Sequence, residues 1–422
     1  MTESAAPAAK QLGADYFQDP LAYFRRMREE GPVTPVVLPH GERAWLVTRY
    51  ADVRSALADP RLHKDWAGKL TSPDWVPDEV TGYLAVHMLN TDPPNHTRLR
   101  KLVTKAFTAR RVAGLRPRVE AITASLLDAI EARAAAGETT VDLIEAFAFR
   151  LPVTVICELL GVPAQDRGQF REWSNAIVAS DGEPGGFRTA GAAMYHYFTK
   201  LVAAKRTELA TNTVLANTGP ADDMVSALIA AQDADEGGDA GDSLSERELI
   251  AMLFLLLVAG HETTTNLIAS GALALLANPA ELDRLRSDRS LLPGAVEELL
   301  RYVNPLNHAT DRFTLEPVEI GGVTIPAREW VLCVTSSANR DPDRFGDPDR
   351  LDLGRDAGGH VAFGHGIHYC LGAPLARLEG EVAFGALFDR FPRLALAAEP
   401  SALRWRQSSL IHGLETLPVS LR

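Results

Sequence analysis

The 422-residue chain has no continuous apolar run long enough to cross a bilayer. The longest, 250–260, falls well short, and residues 1–13 are polar and alanine-rich with no leader-like segment. A soluble, cytoplasmic protein without a membrane partner is expected. Cysteine is scarce: Cys157, Cys333 and Cys370 are far apart and odd in number, which excludes a disulfide framework and fits a reducing compartment. There is no CxxC pair, no zinc-ligand spacing, no phosphate loop, no nucleophile elbow and no dinucleotide fingerprint. Positive charge is also short. A formal net charge of -12 disfavours nucleic acid and anionic membranes as partners. Long polar linkers and internal repeats are missing, so the chain reads as a flexible N-terminus, 1–13, followed by one domain, 14–422.

What is present is mostly helix. Helical patterns cover 14–31, 51–58, 96–107, 112–136, 147–160, 169–178, 190–209, 280–285 and 293–302. The longest, 245–277, opens on a Ser245/Glu248 capping box and stops at Asn278-Pro279. At the helical rise it spans roughly 45–50 Å. Strands are few: 33–38, 44–48, 330–335, and a hairpin, 319–320 with 323–325, around Gly321-Gly322. Residues 61–89 are irregular, 232–242 form an acidic glycine-rich loop, and 340–355 read as ordered coil. The class is mainly α with small β-sheets.

Three stretches carry chemistry. The first is Phe363-Gly-His-Gly-Ile-His-Tyr-Cys-Leu-Gly372, which leads into a helix, 373–384. Its glycines permit close approach to a flat ligand or positive φ, and a cysteine at a helix start is favoured as thiolate. A lone thiolate in a rigid bend suits a metal; the plain alternative is a buried free cysteine. The second is Ala259-Gly-His-Glu-Thr-Thr264, polar residues inside an apolar helix. Thr263 can bond back to the preceding turn, loosen the helix and open a notch beside Gly260 that holds water and relays protons. A kinked helix with a satisfied polar patch is the alternative. The third is Glu298-Leu-Leu-Arg301, an acid and a base on one helix face.

The order Phe-x-x-Gly-x-His-x-Cys-x-Gly resembles the heme-binding signature of the cytochrome P450 family, and 259–264 resembles that family's oxygen-activation motif. The resemblance implies a triangular, helix-rich single unit with heme b between a long central helix and the cysteine-loop helix. Cys370 is then the axial thiolate on iron, Phe363 shields the sulfur, and Gly366 makes room for the porphyrin. Glu262 is the acid and Thr263 the alcohol that deliver protons to bound dioxygen. His96, Arg100, Arg312 and His368 match positions that contact the heme propionates. Glu298 and Arg301 match a buried pair whose third member is taken as Arg350.

Residues 355–379 are most similar to soluble actinomycete enzymes that hydroxylate macrolides; Pro317, where such enzymes often carry Asp, is a departure. The implied reaction inserts one atom of dioxygen into a C–H bond or alkene of a hydrophobic small molecule: a macrolide or other polyketide, a steroid or a terpenoid. With no flavin or nicotinamide signature, electrons come from separate proteins, which the resemblance implies are a ferredoxin and its ferredoxin reductase. The dense basic residues Arg98, Arg100, Lys101, Lys105, Arg110 and Arg111 form a candidate face for an acidic donor. Substrate walls are expected from 66–89, 177–190, Val258, Ala259, 307–309 with Asn307, and 409–411 with Leu410 and Ile411. A peroxide-driven heme-thiolate enzyme and a non-enzymatic heme sensor are the rival readings.

Overall fold

The structure is a computed structural model that describes residues 8–39, 41–65, 86–178, 186–214, 223–233 and 243–421. Along the chain the helices are α1 (Pro20–Glu30), α2 (Tyr50–Ala58), α3 (Asn95–Ala106), α4 (Ala109–Gly114), α5 (Arg116–Ala135), α6 (Arg150–Leu159), α7 (Gln169–Val178), α8 (Gly186–Val214), α9 (Met224–Asp233), α10 (Glu246–Leu276), α11 (Pro279–Ser287), α12 (Leu292–Val303), α13 (Thr335–Ala338) and α14 (Ala373–Arg390). The strands are β1 (Lys10–Gln11), β2 (Val33–Val37), β3 (Arg43–Val47), β4 (Leu62–His63), β5 (Thr140–Asp142), β6 (Arg312–Thr314), β7 (Val318–Ile320), β8 (Val323–Ile325), β9 (Trp330–Cys333), β10 (Ala395–Leu396) and β11 (Pro418–Ser420).

The chain divides into two compact units. The first gathers 1–64, 266–370 and 391–422 and holds most of the sheet. Six strands run in the order β1-β2-β3-β9-β6-β4, and β7 with β8 makes a separate hairpin. The β2–β3 pair is antiparallel, with Val33 opposite Val47, and Gly41 takes φ +95° in the turn. The predicted Gly-Gly hairpin forms: Gly321 and Gly322 both have positive φ, as a tight two-residue turn requires. Pro317 does not disturb the preceding strand, because Thr314 Oγ1 donates to Pro326 O at 2.6 Å and Arg328 N to Thr314 O at 2.7 Å. Tyr50, Val53, Leu57, Val331 and Phe345 pack into one apolar cluster beneath α2.

The described residues of the second unit, 65–265 with 371–390, are mostly helical. The single helix expected at 112–136 is two. Pro117 has no N–H and fits only a first turn, so α4 ends and α5 begins there. Thr108 caps α4 by accepting from Arg111 N at 3.2 Å. Strand β4 lies within the stretch read as irregular, and α9 has no counterpart among the expected elements. The expectations at 66–85, 179–185 and 234–242 lie outside the described residues, as do 1–7.

Helix α10 is continuous over its whole length, with no break at the polar motif. Its capping box forms as the sequence indicates: Ser245 N donates to Glu248 Oε2 at 2.8 Å and Glu248 N to Ser245 Oγ at 3.3 Å. Taken whole, α10 is long and apolar enough to cross a membrane, although no single run within it is. Of its most apolar window, 72% is buried inside the protein, which marks it as a core helix.

Candidate active site

The cysteine loop is held by backbone bonds. Cys370 N donates to Phe363 O at 2.9 Å, Gly364 N to Val361 O at 2.9 Å, and Tyr369 N to Gly366 O at 3.1 Å. Gly364 and Gly366 have φ of +73° and +77°, which only glycine takes without strain. A methyl group on Gly366 would meet Leu57 O at 2.9 Å and the Ala58 Cα at 3.2 Å, so the end of α2 fills that space. The Phe363 ring stands edge-on to Tyr369 at 6.3 Å. His368 is half-buried in a short 3-10 turn, and Arg312 is buried on β6, donating to Thr310 O at 3.2 Å.

The three cysteines differ in what they can become. Cys157 and Cys333 are buried, and burial pushes the Cys157 thiol up to about 12 and raises Cys333 too. Cys370 is exposed. Of the three sulfurs, only that of Cys370 is not buried.

In the helical unit, His96 is buried on α3 and Arg100 is half-buried one turn on. Burial, and then the Arg100 charge, lower the His96 pKa, so its imidazole is neutral at physiological pH. On α10, Thr263 Oγ1 donates to Ala259 O at 3.1 Å, as expected. The expected notch at Gly260 is closed: a methyl there would come within 2.8 Å of Ile156 on α6. Glycine at this position serves close helix packing. Ala259 and Thr263 lie on the less buried face of α10, while Glu262 is buried.

The buried pair after the long helix is intact. Arg301 Nε and Nη2 donate to the two Glu298 oxygens at 2.7 and 2.8 Å, and Nη1 donates to Asn339 O at 2.8 Å and Pro348 O at 2.9 Å. The third member is Arg355, whose Nε donates to Glu298 Oε1 at 3.1 Å. It is not Arg350, which is 63% exposed and pairs with Asp352 at 3.0 Å. The coil turns so that Arg355 reaches inward and also braces Asp347 O and Arg350 O. Arg355→Ala should destabilise the protein by about 2 kcal/mol, because it takes one of two cations from a buried carboxylate and a donor from the Asp347 and Arg350 carbonyls, and Arg350→Ala by under about 0.5 kcal/mol. Denaturant unfolding of both variants checks this.

Arg98 also departs from the expected basic face. It turns inward, ion-pairs with Glu248 of the capping box and donates to Ser243 O at 2.7 Å. The burial of Glu248 explains it: a carboxylate placed there needs a cation. Lys101 and Arg110 stay exposed, while the Lys105 side chain lies outside the described residues.

The two candidate substrate segments of the first unit come together. Asn307 N donates to Leu410 O at 2.8 Å, Asn307 Nδ2 to Ser409 O at 3.1 Å, and Leu306 bridges Ile411. Asn307 and Ile411 are buried, Leu410 half-buried. In the other unit, Val258 is half-buried and Ala259 exposed.

A family model described as Cytochrome P450 matches residues 186–401. The chain belongs to the cytochrome P450 family. It is 51% identical to cytochrome P450 107B1 of Saccharopolyspora erythraea, covering 99% of both chains. It is 46% identical to 6-deoxyerythronolide B hydroxylase of the same organism, covering 94% of this chain and 95% of the relative. Among solved structures, the P450 monooxygenase TamI bound to tirandamycin C superposes with a TM-score of 0.86 at 47% identity, covering 98% of this chain and 100% of TamI. The protein has the P450 fold and is a P450 monooxygenase of secondary metabolism, close to macrolide and polyketide hydroxylases.

The family implies a heme-thiolate center, and the donor set of this P450 fits one. An exposed cysteine at the end of a rigid glycine loop, with Arg312 and His368 in the same unit, matches a thiolate ligand plus cations for carboxylates. Sequence reasoning passed over one further P450 residue, Glu379 on α14. It is buried, and burial pushes its pKa up to about 8, against the pull of Thr264, so it is neutral at pH 7. The signal was an acid between Leu378 and Val382 on the buried stripe of the helix.

Proposed function

We propose that this P450 hydroxylates or epoxidises a macrolide or related polyketide, with heme b held by Cys370, and that 14–422 acts as one catalytic module in the cytoplasm. The observation that carries the reading is Cys370: alone among the cysteines it is exposed, at the end of a glycine loop fixed by the Phe363 carbonyl. Bound heme supplies dioxygen and one-electron chemistry at its iron.

The chain's own residues do the rest. Phe363 screens the sulfur from water, and Gly366 keeps the loop pressed on α2. Arg312, His368, Arg100 and His96 receive the heme carboxylates. The first three offer cationic or donor groups, and neutral His96 donates through one ring N–H. Glu262 is the buried acid of the pair, and Thr263, its hydroxyl hydrogen engaged by Ala259 O, offers oxygen lone pairs toward the reacting side. Val258, Ala259, Asn307, Leu410 and Ile411 line the substrate. Because Asn307 and Leu410 share a hydrogen bond, a substitution in one segment moves the other.

P450s of this bacterial type use redox partners. A ferredoxin with its reductase is the proposed donor, docking on the exposed Lys101 and Arg110. The test is a spectral titration of the holoenzyme with macrolides, linear polyketides, steroids and terpenoids, followed by turnover with ferredoxin and reductase. Displacement of iron-bound water by macrolides or polyketides at micromolar concentration, with an oxygenated product, supports the reading. Binding confined to steroids or terpenoids overturns the substrate class. Equal turnover with peroxide alone overturns the donor.

A further inference from the structure

The substrate wall of the first unit carries two polar atoms that its own packing does not use. Asn307 is 2% exposed and His308 is 3% exposed. Among the described residues, neither Asn307 Oδ1 nor His308 Nε2 has a hydrogen-bond partner. A buried polar atom left in that state is costly, and folded proteins keep few of them. We propose that both atoms accept hydrogen bonds from hydroxyl groups of a neutral substrate, so that the site selects a hydroxylated macrolide ring or polyketide chain over its deoxy and amino counterparts. The proposal rests on the placement of this segment at the substrate, and it names the groups that the segment reads.

The contacts around the two atoms make both of them acceptors. Asn307 Nδ2 donates to Ser409 O at 3.1 Å. A carbonyl only accepts, so the amide is turned with Oδ1 as the group left over. His308 Nδ1 lies 2.8 Å from Ala309 O and carries the ring hydrogen for the same reason. In the neutral ring Nε2 then offers a lone pair. The backbone here is held from several sides. Asn307 N donates to Leu410 O at 2.8 Å, and Asn307 O accepts from Ser336 Oγ at 2.8 Å and Ser336 N at 3.2 Å. Ala309 N donates to Cys333 O at 2.9 Å, and Asn304 Nδ2 donates to Leu306 O at 2.9 Å. The two acceptors therefore stand on a fixed strip of chain, and a ligand that meets them loses little binding energy to ordering the protein.

Charge beside the strip favours hydroxyls over amines. Lys64 is buried and donates to Thr310 O at 3.1 Å and Asp311 O at 3.0 Å. Arg312 is buried too and donates to Thr310 O at 3.2 Å. Asp311 is exposed, and its carboxylate lies 3.7 Å from His308 Nδ1, the nitrogen already engaged. A ligand ammonium brought to this wall would meet two buried like charges. A hydroxyl supplies the same hydrogen without that repulsion.

Matched ligands test this by spectral titration of the holoenzyme. They are a macrolactone carrying free ring hydroxyls, the same ring with single hydroxyls replaced by hydrogen, and the same ring with an amine in place of a hydroxyl. Loss of either contacting hydroxyl should weaken binding about tenfold. His308→Phe and Asn307→Leu should each erase the preference at one hydroxyl, leaving the hydroxylated and deoxy rings within about twofold of each other there. This ratio of two ligands on one variant cancels any general loosening of the wall. In the unmutated, reduced and carbon-monoxide-bound holoenzyme, nitrogen NMR of labelled histidine should show the His308 Nε2 signal moving with the hydroxylated ring and not with the matching deoxy ring. Equal affinity for hydroxylated and deoxy rings, or a preference that both variants keep, overturns the proposal and leaves the monooxygenase reading standing. Tighter binding of the amino ring overturns the choice of a neutral donor. If no macrolactone shifts the spectrum, the substrate class fails, and the same ratio for a hydroxylated and a deoxy steroid or terpenoid decides the role of the two acceptors.

Discussion

Cys370→Ser should abolish the red-shifted absorption of the reduced, carbon-monoxide-treated protein and reduce turnover by at least about a thousandfold. The band reports a sulfur anion on the iron, and serine offers an alcohol that does not ionise at neutral pH. Cys157 and Cys333 do not substitute, because both thiols are buried and held in the protonated form. The loop itself should survive the change, since its shape comes from the backbone bonds at Phe363, Val361 and Gly366, not from the sulfur. Cys157→Ala and Cys333→Ala should keep the band. A red-shifted band that persists in Cys370→Ser, or that is lost in either buried variant, would refute the ligand assignment.

Glu262→Gln should lower product formation about a hundredfold, and Thr263→Ala should divert most reducing equivalents into hydrogen peroxide. A positioned acid contributes roughly 10²- to 10⁴-fold, and glutamine keeps the volume of Glu262 while losing the proton. Thr263 donates to Ala259 O, so its oxygen is left as an acceptor aimed by the helix; alanine removes that oxygen without disturbing the continuous α10. Substrate binding, read by the spectral shift, should change little in either variant. Measuring product, peroxide and reductant consumed in one assay tests this. Full coupling in Thr263→Ala would remove the alcohol from the mechanism.

Much of this protein was legible where the signal is local. The Ser245/Glu248 capping box and the Gly321-Gly322 turn depend on residues a few positions apart and form as read, and the Cys370 loop takes the positive φ that its glycines Gly364 and Gly366 allow. The break between α4 and α5 was equally local and was still missed. Pro117 looks tolerable in a helical pattern until one notes that it fits only a first turn.

Tertiary structure decided the pairings over distance. Of two arginines in the same coil, Arg355 and not Arg350 reaches Glu298, because a buried carboxylate selects whichever cation the folded chain delivers. Arg98 leaves the basic face for the same reason. Strand β3 lies parallel to β9, with Trp45 beside Val331, and Asn307 is tied to Ser409 and Leu410. Composition and periodicity indicated the mainly helical class, and the motifs at 259–264 and 363–372 indicated the family. Which charges meet, which thiols stay neutral and which segments share a wall follow from desolvation, a property of the packed interior that no short window of sequence contains.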